Sequence, residues 1–239
     1  AVNFHDGPLP RYAGLNAPVW ALLHGEESHG ITWHVIEGGI DEGDVVASRT
    51  FAVSPDDTAL TLNAKCFSAA IDSFDTVISA LEAGLPDRTA QDLSQRSYFG
   101  LNDRPKAGAV IDFNAPASTI ARMVRALDHG DYRNPLSVPK IVIGDRVILV
   151  GRALPTAGAE PPGTIIAADE ASLTVATGDG AVHLSKLTDA MGAPVRPDVT
   201  AGTLILPSDV EALDLALKSV LAAERRWEAR FGDYHPALW

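Results

Sequence analysis

The sequence has little cysteine, few aromatic residues and no excess of positive charge. One cysteine, Cys66, stands in 239 residues, so no disulfide can form within the chain. That suits a reducing, cytoplasmic compartment. Cys66 sits in a helical pattern and reads as a small buried residue. Lys plus Arg number 19 against 31 Asp plus Glu, a formal net charge of −12. Residues 1–100 hold 5 basic and 14 acidic side chains (−9), and residues 101–239 hold 14 and 17 (−3). Neither half has the basic surplus that phosphate backbones reward, which argues against a nucleic-acid partner. No apolar run reaches the roughly 18 residues of a membrane span, and no signal peptide is visible. No pair of histidines has metal-ligand spacing with a third ligand, so no metal is expected.

What the chain does have is 46% apolar residues, ample for a core and for one or two domains. Residues 1–5 read as the end of a strand, broken by Pro8 and Pro10 into a loop through Arg11, Tyr12 and Gly14. Pro18 to His24 fits a short helix closed by Gly25. Residues 30–36 and 45–53 are strands on either side of a Gly38-Gly39 turn. A long helix follows, with Leu60, Ala64, Phe67, Ile71, Phe74, Ile78 and Leu81 as its apolar stripe. Ser54-Pro55-Asp56-Asp57 supplies its cap, and Gly84 and Pro86 stop it. Residues 91–106 read as a polar linker.

Beyond it, Val110–Phe113 reads as a short strand. A helix capped by Ser118 or Thr119 runs to about Leu127. Strands then alternate with Gly and Pro turns: Lys140–Ile143, Arg146–Val150, Gly163–Ala167, Ser172–Ala176 and Ala181–Leu187. Five short strands at this spacing predict a small closed β-barrel. A last helix over 208–231 carries Val210, Leu213, Leu217, Val220, Trp227 and Phe231 as its apolar stripe, with Arg225, Arg226 and Arg230 near its C-terminus. His34 and His183 lie within strands and read as packing or surface residues. His129 reads as a loop residue.

The stretch from Asn3 to Asp44 carries the chemistry. Asn3 and His5 are two apart, so on a strand they share a face. Asp41 follows the next strand in a Gly-rich turn. Converging, an Asn amide and a His N–H could hold a developing oxyanion, while the Asp orients the imidazole and favours its charged form.

Asn3, His5, Leu9-Pro10, Gly14, Trp20, Gly25, Gly30 and Ile40-Asp41-Glu42-Gly43-Asp44, with Asp41 thirty-six positions after His5, resemble the 10-formyltetrahydrofolate-dependent formyltransferases. One departure is visible: Gly7-Pro8 stands where that family usually has Ser-Leu. Pro162-Gly163-Thr164-Ile165 and Gly178-Asp179-Gly180-Ala181-Val182 resemble the C-terminal domain of methionyl-tRNA formyltransferases. The resemblance implies an α/β chain: the second half of a Rossmann-like catalytic domain over 1–95, an OB-like β-barrel domain over 96–207, and a terminal helix and linker over 208–239. It also implies about one hundred residues before Asn3, completing the Rossmann-like sheet, without which the chain as given would bind its donor weakly. Asn3, His5 and Asp41 would be catalytic. Glu37, Gly38, Gly39, Ile40 and Asp41 would offer backbone to the pterin of 10-formyltetrahydrofolate, and Arg11 and Tyr12 would face the acceptor.

The acceptor is expected to be an amine. The Asn3–Pro10 variant resembles formyltransferase domains fused to peptide synthetases, which implies an aminoacyl thioester on a carrier domain and neighbouring domains in a longer chain. The competing readings are a nucleotide-linked amino sugar, methionyl-tRNA, and a non-catalytic docking module.

Overall fold

The computed structural model describes residues 1–85 and 87–231. Strand β1 (Val2–His5) leads through a loop into the two-residue strand β2 (Ala13–Gly14) and helix α1 (Ala17–His24). Gly25 closes α1 in the left-handed region, as expected. Strands β3 (Ser28–Val35) and β4 (Val45–Ala52) follow, then the long helix α2 (Ala59–Glu82). The first sheet is antiparallel throughout, in the order β1-β3-β4.

Helix α2 covers one face of this sheet, but with a different side from the one its apolar spacing predicts. Leu62, Cys66, Ala70, Ser73 and Val77 are buried. The predicted stripe turns outward, with Ile71 76% and Phe67 58% exposed. Small residues let the helix axis come close to the sheet, where Cys66 and Ala70 pack on Ile31 and the Trp33 indole donates to Ser73 Oγ at 2.9 Å. The larger residues then form a second row, with Phe67 toward Phe4 and Phe74 toward Trp33. The cap also moves. Thr58 and Thr61 form a reciprocal capping box, while Asp57 takes the Ser54 N–H and the Lys65 ammonium. Pro86 lies outside the described residues.

The predicted linker is packed rather than free. After a 3-10 turn at Leu93–Gln95, strand β5 (Tyr98–Phe99) pairs in parallel with β2. Phe99 stacks on Trp20 at 4.5 Å and on Tyr12 at 5.8 Å. Gly14 makes this possible, since a Cβ there would meet the Phe99 carbonyl oxygen at 2.1 Å.

Helix α3 (Ala117–Ala126) and strands β6 (Lys140–Ile143), β7 (Arg146–Thr156), β8 (Ile165–Ala168), β9 (Ser172–Thr177) and β10 (Gly180–Thr188) form the second unit. The strands are antiparallel in the order β6-β7-β10-β9-β8. The expected closure into a barrel is not made by a ladder between β6 and β8. Short segments complete the rim instead: Ile111 donates to Lys140, while Ile165 donates to Thr203 and Ile205 to Gly163. Val110–Phe113, expected as a strand, makes a single bridge there. Neither Ser118 nor Thr119 caps α3; Asp179, from the β9–β10 turn, accepts the Ala117 N–H at 2.8 Å. Helix α4 (Val210–Phe231) docks near Lys106–Ala109, with Asp214 accepting the Ala107 N–H at 2.6 Å. The side chains of Trp227, Phe231, Arg225, Arg226 and Arg230, and the tail 232–239, lie outside the described residues. Among the described residues, no helix is long and apolar enough to cross a membrane.

Candidate active site

Antiparallel pairing sets Asn3 directly opposite His34 and His5 opposite Thr32. Alternation along each strand therefore gathers these four side chains on one face. Asp41 is delivered from beyond the end of β3, with φ 57°, in the left-handed region that Asn and Asp tolerate best. The turn is pinned from outside. Gln91 Nε2 donates to the Asp41 carbonyl at 2.9 Å and to the Gly43 carbonyl at 2.7 Å, and Arg96 donates to the Ile40 carbonyl at 2.9 Å. Gly43 is obligatory, because a Cβ there would meet the Val35 carbonyl oxygen at 1.9 Å.

Asp41 joins two imidazoles. Its Oδ2 lies 3.5 Å from His5 Nδ1 and accepts the Gly14 N–H at 2.8 Å; its Oδ1 lies 3.3 Å from His34 Nε2. Burial alone would raise the Asp41 carboxyl, but hydrogen bonds from His34 and the Gly14 N–H, with the charge of His5 and His34, hold it below the usual carboxylate range. His5 and His34 are 5% and 3% exposed. His5 Nε2 lies 2.8 Å from the Tyr12 carbonyl, an acceptor only, so that nitrogen carries the hydrogen. With Asp41 on the other side, both ring nitrogens of His5 face acceptors, and both can donate only as imidazolium. His34 Nδ1 is likewise 3.0 Å from the Val35 carbonyl, and its Nε2 lies 3.2 Å from the Asn3 Nδ2. With the Asn3 amide turned over, its oxygen would accept from a His34 Nε2–H and its NH₂ would be free for a ligand.

These groups border a cleft of about 600 Å³ lined by Asn3, His5, Asp41, Ile40, Tyr98 and Leu101, among others. The trio expected from sequence is thus brought together. Of the expected donor loop, Ile40 and Asp41 border the cleft, whereas Glu37, Gly38 and Gly39 lie exposed on the turn outside it. Arg11 and Tyr12 do not border it. Tyr12 is 3% exposed, with its hydroxyl donating to Glu26 at 2.7 Å, and Arg11 pairs with the same Glu26. Burial and Glu26 push the Tyr12 hydroxyl up. What Tyr12 contributes to the site is its carbonyl.

Sequence reading missed His34, which is a member of the cluster rather than a packing or surface residue. Its only sequence signal is an even offset from Thr32 on β3. The pairing register with β1, which places it against Asn3, is not written locally. Asp6 was also missed. It borders the cleft, and burial raises its carboxyl, with His5 lowering and Asp41 raising it further. Its carbonyl accepts from buried His29 at 2.8 Å.

Two family models match the chain, formyl transferase over residues 1–78 and formyl transferase, C-terminal domain, over residues 105–202. An N-formyltransferase from Helicobacter canadensis, solved with folinic acid and dTDP-3-aminofucose, aligns at TM-score 0.63 and 22% identity, over 78% of this chain and 66% of its own. WlaRD, a sugar 3N-formyl transferase solved with dTDP and 5-N-formyl-THF, aligns at 0.62 and 22%, over 78% and 64%. HypX from Aquifex aeolicus with tetrahydrofolic acid aligns at 0.60 and 21%, over 79% and 32%. This chain therefore spans less than two thirds of each of these proteins. At such identities the likeness establishes the fold, a Rossmann-like part followed by a formyltransferase C-terminal domain.

Proposed function

The chain belongs to the formyltransferase family, and from that premise we propose that it takes part in moving a formyl group from 10-formyltetrahydrofolate to an acceptor amine. The observation that carries this reading is the cluster of Asn3, Asp41 and His5 on the border of one cleft, with buried His34 in contact with Asn3 and Asp41. The acceptor nitrogen attacks the formyl carbon, and the carbonyl oxygen becomes an oxyanion. The Asn3 NH₂ donates to it. His5, tied to Tyr12 and Asp41, contributes its imidazolium charge from below rather than a free N–H. Removing one oxyanion donor typically costs about 10²–10³ in rate. As the bond from the formyl carbon to the donor's N10 breaks, the amine proton leaves through Asp41, directly or through water, and N10 takes up a proton. Ile40 and the Asp41 backbone are the donor-side contacts this chain offers. The folate ligands of the relatives above support this choice of donor.

For the acceptor, the reading we favour is an aminoacyl thioester on a carrier domain of a larger cytoplasmic protein. It is supported by the Gly7-Pro8-Leu9-Pro10 variant and by the −3 balance of residues 101–239, which lacks the basic excess that tRNA binding rewards. A nucleotide amino sugar is the second reading, favoured by the two sugar N-formyltransferases among the similar structures. The test uses full-length protein with 10-formyltetrahydrofolate and four acceptors in parallel: aminoacyl carrier domain, free amino acid, aminoacyl-tRNA and nucleotide amino sugar. Formylation of the carrier-bound amino acid is expected. Formylation of the sugar or tRNA alone overturns the carrier reading, and no tetrahydrofolate release with any of them overturns the enzyme.

A further inference from the structure

We propose that Arg104 and Arg133 bind a phosphate carried by the acceptor, in a cleft that neighbours the one bordered by His5 and Asp41. The inference rests on the formyl-transfer reading. The neighbouring cleft, about 510 Å³, lies between the loops carrying these arginines and the Leu217 and Leu221 side of α4. Leu101, 62% exposed, borders both clefts and so stands between them.

Charge divides sharply between them. The acidic and basic side chains bordering the first cleft are His5, Asp6 and Asp41, beside the Tyr98 phenol; those bordering the second are Arg104 and Arg133. In a chain of net charge −12, two arginines with no acid among the described residues of the same wall are a local feature. Among the described residues, neither forms an ion pair. Arg104 uses one Nη1 on the Leu101 and Asp103 carbonyls, at 2.8 and 3.0 Å, which fixes the guanidinium on the wall and leaves Nε and Nη2 to donate. Asp103 itself is turned to the Gly100 N–H.

Arg133 sits on an anchored turn. Its neighbour Asn134 donates to the Leu127 and Ser137 carbonyls and accepts from the Leu136 and Ser137 N–H groups. The Arg104 fork, held on two backbone carbonyls, is suited to a tetrahedral oxyanion such as phosphate, and Arg133 adds a second cation to the same wall. An amine is drawn to the acidic end and a phosphate to the arginine end. That pattern suits an acceptor with an amine and a phosphate at opposite ends, which both an aminoacyl phosphopantetheine arm and a nucleoside-diphosphate amino sugar provide.

The test measures binding to the full-length protein, without folate, of an aminoacyl phosphopantetheine thioester, its dephosphorylated counterpart and a nucleoside-diphosphate amino sugar. Arg104→Ala with Arg133→Ala should weaken the phosphorylated acceptor that binds by about tenfold or more, the scale of one lost charge-assisted hydrogen bond. Binding of the dephosphorylated probe should not change, and wild-type affinity for the phosphorylated one should fall as salt rises. Arg133→Glu, at an exposed residue, should reproduce the loss without disturbing the fold. Comparing the thioester with the amino sugar identifies which phosphate is read. Equal wild-type affinity with and without phosphate, no binding of either, or equal losses for both in the double variant would overturn the proposal. Failure of formyl transfer itself would appear separately, as absent turnover alongside phosphate-selective binding.

Discussion

The two sheets of this chain are stabilised in different ways. The second has one continuous apolar core, running from Ile111 and Phe113 through Ile120 and Val124 of α3 to Val150, Val175 and Leu184. Around the first, the buried apolar residues fall into separate groups centred on Trp20, Leu62 and Ile31, the first two of which also take in Ala109, Ala126, Leu127 and Leu136. Between those groups lie buried His5, His29, Thr32 and His34. Buried polar groups cost free energy unless they are hydrogen-bonded, so the first unit depends on its polar network. On the proposed function, folding strength is concentrated in one region and chemistry in the other, and substitutions should separate the two.

The largest effect on stability is expected in the second unit. Leu184 is 0% exposed in the middle of β10, and Leu184→Ala should cost about 2–5 kcal/mol of unfolding free energy. Denaturant titration of the 239-residue chain measures this. The same experiment on Asp41→Asn should show a smaller loss, because the isosteric amide keeps the packing. Its effect belongs to the reaction: in the full-length protein the rate of formyl transfer should fall by about 10²–10³. A folded Asp41→Asn variant with near-normal turnover would erase the division of labour between the sheets.

Acid should act on the first unit. Burial, the dominant cause, lowers His29 to about 4, with its hydrogen bond to the Asp6 carbonyl opposing and the charge of His5 adding. The unfolded chain therefore takes up this proton near pH 6.5, and the folded chain only near pH 4. Stability is full above pH 6.5 and falls as pH drops through that window, by about 3 kcal/mol in total. His29→Phe, which cannot titrate, should flatten the pH dependence of stability between 6.5 and 4. An unchanged slope would mean His29 is protonated in the fold.

The legible parts of this chain were those written locally. Gly25 and the Asp179-Gly180 turn mark their elements in sequence. The Asn3, His5 and Asp41 trio was legible because its spacing survives as a motif. His34 was not, because its membership depends on the register between β1 and β3. Arg11 and Tyr12 looked like cleft residues because they follow the motif, yet Glu26, fifteen and fourteen positions on, holds both side chains away. The packing of 91–99 was hidden by its polar composition. It is held by Gln91 and Arg96 side chains on backbone carbonyls and by one aromatic ring, Phe99.

The smallest expected effect tests the least legible feature, the orientation of α2. Its residues carry two rows that both read as apolar. The row of larger side chains has the stronger periodic signal, and the row of small ones packs against the sheet. If the larger row were the buried one, Ile71→Lys would place an ammonium in the core and cost several kcal/mol. With Ile71 76% exposed, the lysine stem lies along the helix surface and its ammonium reaches water. The expected change in the 239-residue chain is within about 0.5 kcal/mol. Ala70→Lys, one position away on the buried row, supplies the contrast: it drives a long charged chain against Ile31 and should destabilise far more. Equal losses at the two positions would show that both rows are buried, and a larger loss at Ile71 would mean that the helix is rotated. The near-neutral result at 71 alone would establish that the small residues set how closely α2 approaches the sheet that carries Asn3 and His5.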